Sequence, residues 1–208
     1  MVKKIVFFVL GLLLLGGISF VFLYEKKSQQ AEKINNYSLT KAEEDSLQAG
    51  DIILRHGFGL ISDAIVKYAK SPYSVSHCGI VVKDSSDNWA VIHTVSNALA
   101  DIDGMQKDNL KKFVRDSKPH SIIVTRYRFQ NEEQRQKIVN QAYYYLQKQV
   151  PFDNEFNLSD STQFFCTEFI WNVFYYAIGA DLYEHYPQCK GMTFAPFWDE
   201  RNFKMVLF

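Results

Sequence analysis

The chain is poor in cysteine, proline and glycine, and it has no net charge. Three cysteines in 208 residues are too few, and odd in number, for a disulfide framework. Five prolines and ten glycines exclude a collagen-like or low-complexity chain. The 23 basic and 23 acidic residues cancel. A nucleic-acid binder of this size carries a basic surplus, so nucleic acid is not an expected partner. Motifs are missing as well. Without G-x-x-x-x-G-K-[ST] or G-x-G-x-x-G, no nucleotide cofactor is expected. Without G-x-S-x-G, serine-based hydrolysis has no nucleophile elbow. Zinc sites favour paired spacings such as C-x₂-C or H-x₃-H, and neither occurs, although Cys78, His77 and His93 are of ligand type. Asp51, Asp63, Asp84 and Asp87 do not form a calcium loop. The expectation is no cofactor and no metal.

What is present is apolar and aromatic. Hydrophobic residues make up 47% of the chain and aromatics 15%, enough for a folded core. Lys3 and Lys4 precede an uncharged run from Ile5 to Tyr24, long enough as a helix to cross about 30 Å of hydrocarbon. Large residues continue to Tyr24, past the point where a cleaved signal peptide would end. Residues 1–27 therefore read as an uncleaved signal anchor in the cell membrane. The slight positive excess before the run places the rest of the chain outside the cytoplasm. That remainder holds 19 basic and 22 acidic residues, a net charge of −3, so bulk charge does not draw it to anionic lipid. Residues 28–47 read as a polar linker and a short helix, with Thr40 and Glu43 at capping-box spacing. Residues 48–208 are expected to form one folded domain.

Within that domain, Ile52–Leu54, Cys78–Val82, Trp89–Val95 and Ser121–Phe129 have strand character. Phe58–Lys70, Asn131–Gln149 and Phe164–Ile178 have helical spacing, and a shorter helix is expected over Asn109–Val114. A run of strands followed by helices gives an α+β fold. The Tyr143–Tyr145 and Phe174–Tyr176 clusters read as core plus helix surface, with a greasy acyl groove as the alternative.

Cys166 falls near the start of the last helix, where Ser161 and Thr162 hydroxyls are available as caps. There the macrodipole favours a thiolate, although a buried aromatic-packed cysteine is the plainer alternative. His77 opens one strand and His93 lies on the next. A hairpin through DSSDN brings them together, and nucleophile, base and orienting group is what thiol catalysis needs. Asp51 reads as a turn residue capping backbone before a strand.

The segments Gly50-Asp51-Ile52-Ile53-Leu54, Ser76-His77-Cys78-Gly79-Ile80-Val81, Pro151-Phe152-Asp153 and Phe165-Cys166-Thr167-Glu168-Phe169-Ile170 occur in that order. They resemble the circularly permuted NlpC/P60 papain-like cysteine hydrolases of the YiiX/YebB-like group, with lecithin:retinol acyltransferase-like proteins as distant members. The resemblance covers about Gln48–Phe208. It implies the permuted papain-like fold, an antiparallel sheet packed against helices, with Cys166 as nucleophile, His77 as base and His93 in the third polar position. Many chains of the group carry an acidic residue at that third position. Cys78 matches a position usually apolar in the family and reads as packing. Cys189 is a spare thiol, and its pairing with Cys78 after export stays open. The function implied is a membrane-anchored thiol hydrolase of an amide bond, in a cell-wall peptide or an N-acyl amino acid or lipid. Lipid acyl transfer or lipid hydrolysis by the same residues, or a non-catalytic binding module, are the alternatives. Nothing in the sequence sets the oligomeric state or a side-chain oxyanion donor.

Overall fold

The computed structural model describes all residues except 1, 70, 98–101, 130, 160–161 and 190–192, and leaves out the side chains of residues 2–6, 8, 9 and 189. Helix α1 spans Val2–Ile34. It carries no break at Ser28, because Gln29–Lys33 are good helix formers without glycine or proline. The segment read as a linker thus extends the helix instead. Among the described residues no helix is long and apolar enough to cross a membrane. The described apolar side chains of α1, from Leu10 to Leu23, are exposed and join no core.

Helix α2 (Lys41–Ser46) begins with the expected capping box. The Glu43 N–H donates to Thr40 Oγ1, and the Thr40 N–H donates to the Glu43 carboxylate. Six strands follow: β1 (Ile52–Arg55), β2 (His77–Lys83), β3 (Trp89–Val95), β4 (Gly104–Asn109), β5 (Ile123–Tyr127) and β6 (Phe203–Leu207). They form one sheet in the order β4-β3-β2-β1-β5-β6, every pair antiparallel. Helix α3 (Leu60–Ala69) connects β1 to β2, and α4 (Leu110–Arg115) connects β4 to β5. Helices α5 (Glu132–Gln147) and α6 (Cys166–Ile178) come last before β6.

Side chains alternate across a strand, and the apolar residues divide accordingly. Ile52, Leu54, Cys78, Ile80, Val82, Ala90 and Ile92 join the core that faces α5 and α6. Ile53, Val81, Val91 and Val124 meet Leu110, Phe113 and Val114 of α4 on the other side. Both faces are covered, so the central strands read as continuous apolar runs. Tyr145 and Phe174 are buried while Tyr144, Tyr175 and Tyr176 are exposed, as expected for core plus helix surface; none of the five lines the cleft described below.

Two motif residues have structural tasks. The Asp51 carboxylate is fully buried, accepts the Gln48 N–H at 2.8 Å, and receives Arg126 Nε at 2.7 Å and Nη2 at 2.8 Å. The backbone-capping role was legible; the buried ion pair to β5 was not. Gly79 allows β2 and β3 to approach. A Cβ there would lie 2.6 Å from Val91 Cγ1, 2.8 Å from the Ile92 carbonyl oxygen and 3.0 Å from His93 Cβ.

Candidate active site

Cys166 is the first residue of α6, and Phe165 takes the N-cap position. Of the hydroxyls expected as caps, Thr162 lies three residues before the N-cap and Ser161 falls outside the described residues. Glu168 reaches back instead and accepts the Phe165 N–H at 3.4 Å. A bulky N-cap without a hydroxyl leaves the helix terminus open to the cleft, where Phe165 and Cys166 both line the wall.

The strand alternation that sends Cys78 to the helical face sends His77 and His93 to the other. Their rings are edge-to-face, with His77 Nε2 at 2.9 Å from His93 Nδ1. Both pack on Phe113 of α4. His93 Nε2 lies 3.3 Å from Asp108 Oδ2 on β4. Lys112 Nζ donates to Asp108 and to Asp116, each at 2.8 Å. Cys166 lines the same cleft, close enough to His77 for the two groups to shift each other's pKa. The structure thus brings the three expected residues, Cys166, His77 and His93, together in one row and adds Asp108 at its end.

This row fixes the tautomers. The Asp108 carboxylate can only accept, so His93 donates through Nε2 and keeps a lone pair on Nδ1. His77 then donates through Nε2 to His93, which leaves the lone pair of His77 Nδ1 for the Cys166 thiol. Burial pushes His77 down to about 4, so its imidazole is neutral at pH 7. Burial also lowers His93. Burial opposes charge on Asp108 too, but the bonds from His93 and Lys112 outweigh it and hold the carboxyl well below its ordinary range.

Cys78 does more than pack. Its fully buried thiol sits beside Cys166, and burial followed by that neighbour raises its pKa well above the usual thiol value. The nearness of Cys78 and of His77 in turn lowers the Cys166 thiol against the cost of its own burial. Cys78 is a free thiol, and the Cys189 side chain lies outside the described ones.

The cleft holds about 510 Å³. Phe152, Phe156 and Phe165 give it an aromatic wall, with Phe156 ring-packed on both others. The buried Asp153 of the Pro-Phe-Asp motif shapes this wall by accepting the Glu155 and Asn157 N–H groups at 2.8 and 2.6 Å. Arg55, Asp108, Lys112 and Asp116 line a polar end. Among the described residues no three His, Cys, Asp or Glu side chains are grouped to hold a metal ion.

Residues 46–196 match the family described as permuted papain-like amidase enzyme, YaeF/YiiX, C92 family. The chain belongs to this family. The fold agrees with it. A crystal structure of the metalloprotein yiiX from Escherichia coli O157:H7 superposes with a TM-score of 0.59 at 22% identity, over 77% of this chain and 96% of that one. The metal in that description belongs to that protein. No curated protein matches the chain. The family match covers the motif segments, with His77 ahead of Cys166 in the chain, and stops short of α1 and β6.

Asp108 was not legible in the sequence. It lies in the polar segment GMQKDN, where alternation carries no apolar signal, and it reaches His93 only because β4 pairs with β3 in a register that sets Gln106 opposite His93.

Proposed function

We propose that this permuted papain-like amidase is a thiol hydrolase that cleaves an amide through a covalent acyl-enzyme, with Cys166 as nucleophile and His77 as base. The observation that carries this reading is the continuous row Cys166–His77–His93–Asp108, with the thiol on the first residue of a helix. His77 Nδ1 takes the thiol proton as sulfur attacks the carbonyl carbon. The Cys166 backbone N–H, at a helix position without an intrahelical acceptor, donates to the oxyanion. His77 passes its proton to the departing amine nitrogen, and a thioester remains. A water then gives its proton to His77 and attacks the thioester, releasing a carboxylic acid and restoring the thiol. His93 and Asp108 hold the imidazole in the productive tautomer without touching substrate.

The apolar segment Ile5–Tyr24 of α1 anchors the enzyme in the cell membrane in this reading, with the catalytic domain outside the cytoplasm. The uncharged sequence and the exposed leucines and phenylalanines between Leu10 and Leu23 support it. The aromatic wall beside Cys166 suits an amide with an apolar acyl group, and an N-acyl amino acid or lipid fits it better than a hydrophilic peptide.

The test is the rate of iodoacetamide alkylation of Cys166 in the full chain, followed by peptide mass mapping from pH 3 to 10. Wild type should react well below the free-cysteine range of about 8.5, and its acid limb should lie near the His77 value of about 4 and below the usual histidine value. His77→Ala should move the profile up towards the free-thiol range. An unreactive Cys166, or a profile indifferent to His77→Ala, would sink the mechanism.

A further inference from the structure

Helix α1 does not end where its apolar run ends. Beyond Tyr24 it crosses the catalytic domain and is tied to it at several points. Tyr24 bonds Asp63 of α3. The Glu25 carboxylate accepts the Leu60 N–H at 2.8 Å, and Ser28 Oγ accepts the Gly59 N–H at 2.7 Å, so α1 supplies the side chains that cap α3. Asn35 Nδ2 donates to the Ser117 carbonyl oxygen at 2.8 Å, just past α4. Between these ties the helix passes the cleft, and Glu32 lines it.

Glu32 has no structural task there. Its carboxylate is half-buried and makes no hydrogen bond or ion pair among the described residues. The cations whose charge reaches it are engaged elsewhere. Lys112 is already shared between Asp108 and Asp116, and Arg55 donates to the Phe113 carbonyl oxygen and stacks 4.4 Å above the Phe113 ring. Arg115 pairs with Asp116 at 3.6 Å, so each of the three cations near Glu32 already has another partner. Burial, followed by the charge of Asp116, raises Glu32 above the ordinary carboxyl value. A carboxylate so placed gains most from a cationic donor.

We propose that α1 completes the substrate cleft and that Glu32 recognises a cationic group on the amine side of the substrate amide. The inference rests on the thiol-hydrolase reading for its orientation, with the acyl group along the aromatic wall of Phe152, Phe156 and Phe165 and the departing amine towards Glu32. The substrate class is then an N-acylated amine carrying an ammonium group. Specificity comes from a segment outside the part of the chain matched by the family.

Two probes of one shape test it: the amide of octanoic acid with 1,4-diaminobutane, which ends in an ammonium, and with butylamine, which ends in a methyl. The full chain is incubated with each, and protection of Cys166 from iodoacetamide and hydrolysis are scored together. The ammonium probe should protect at a concentration at least about tenfold lower than the methyl probe, the scale of a charge-assisted hydrogen bond. Glu32→Gln should remove that preference. Equal protection by both probes, protection by neither, or a preference that survives in Glu32→Gln overturns the inference. Hydrolysis of both probes without preference leaves the thiol-hydrolase reading standing. Preference without hydrolysis sinks that reading and keeps Glu32 as a recognition residue.

Discussion

Asp108→Asn is the sharpest probe of the row behind Cys166. The substitution keeps shape and volume but removes the charge and offers His93 either an acceptor or a donor. Asp108 lies 3.3 Å from His93 Nε2, with its side chain 13% exposed, so the bond is charge-assisted and weakly screened. Such a bond is worth about 1.5–3 kcal/mol. Each 1.36 kcal/mol is tenfold in rate, so kcat/KM should fall about 10- to 150-fold. The loss is larger if the new amide turns its NH₂ towards His93. Both imidazoles then flip tautomer, and His77 Nδ1 carries a proton where it must accept one. The assays are amide hydrolysis and the alkylation rate of Cys166 at pH 7, with the melting temperature as a check on folding. Asp108→Glu, which restores charge at a shifted position, should recover part of the rate. An Asp108→Asn protein within twofold of wild type in both assays would refute the argument that Asp108 holds the relay in register.

Gly79→Ala should weaken the fold and the site together, because the added carbon meets the backbone oxygen of Ile92 as well as Val91 and His93. A cost of about 1–3 kcal/mol is expected, read as a drop of several degrees in melting temperature with slower Cys166 alkylation in the folded protein; an unchanged melting temperature would show that β2 and β3 have room to spare. Asp51→Ala should cost about 3–5 kcal/mol, because the largely buried Arg126 loses its partner. The double change Asp51→Ala with Arg126→Met should recover much of that loss, and denaturant unfolding that finds the single change under 1 kcal/mol would contradict the buried-pair account.

The legible part of this protein was the part with a period. Strands β1, β2 and β3 and helices α5 and α6 follow apolar spacing, and each formed within a few residues of its expected bounds. The hairpin through DSSDN formed as well, with Asp84 accepting the Ser86 and Asn88 N–H groups, and it set His77 beside His93. Strand β4 escaped because GMQKDN carries a single apolar side chain, Met105, and so shows no alternation of apolar residues. With it went Asp108, and so the acidic end of the row. Cys78 packs in the core as expected, but its neighbour there was hidden. Its position in the strand was right, but the element opposite its face is α6, and only the packing of α6 on β2 brings the two thiols together. Glu32 was hidden by the reading of Ser28–Asn36 as linker, since helix-forming composition in a polar stretch gives no sign of what the helix will touch.

The permuted order has a consequence for how the protein comes into being. His77 and Cys166 are separated by 89 residues, and the strands that position the proposed base are all made before the helix that carries the proposed nucleophile. On the ribosome, β1 to β4 can pair as a local antiparallel meander while Cys166 is still unmade. The thiol then meets His77 only when α6 docks across those strands, a contact of high sequence separation that forms late and slowly. Chains that stop or stall before that step carry an ordinary cysteine or none, so in the proposed mechanism a reactive sulfur appears only after α6 has docked on the strands.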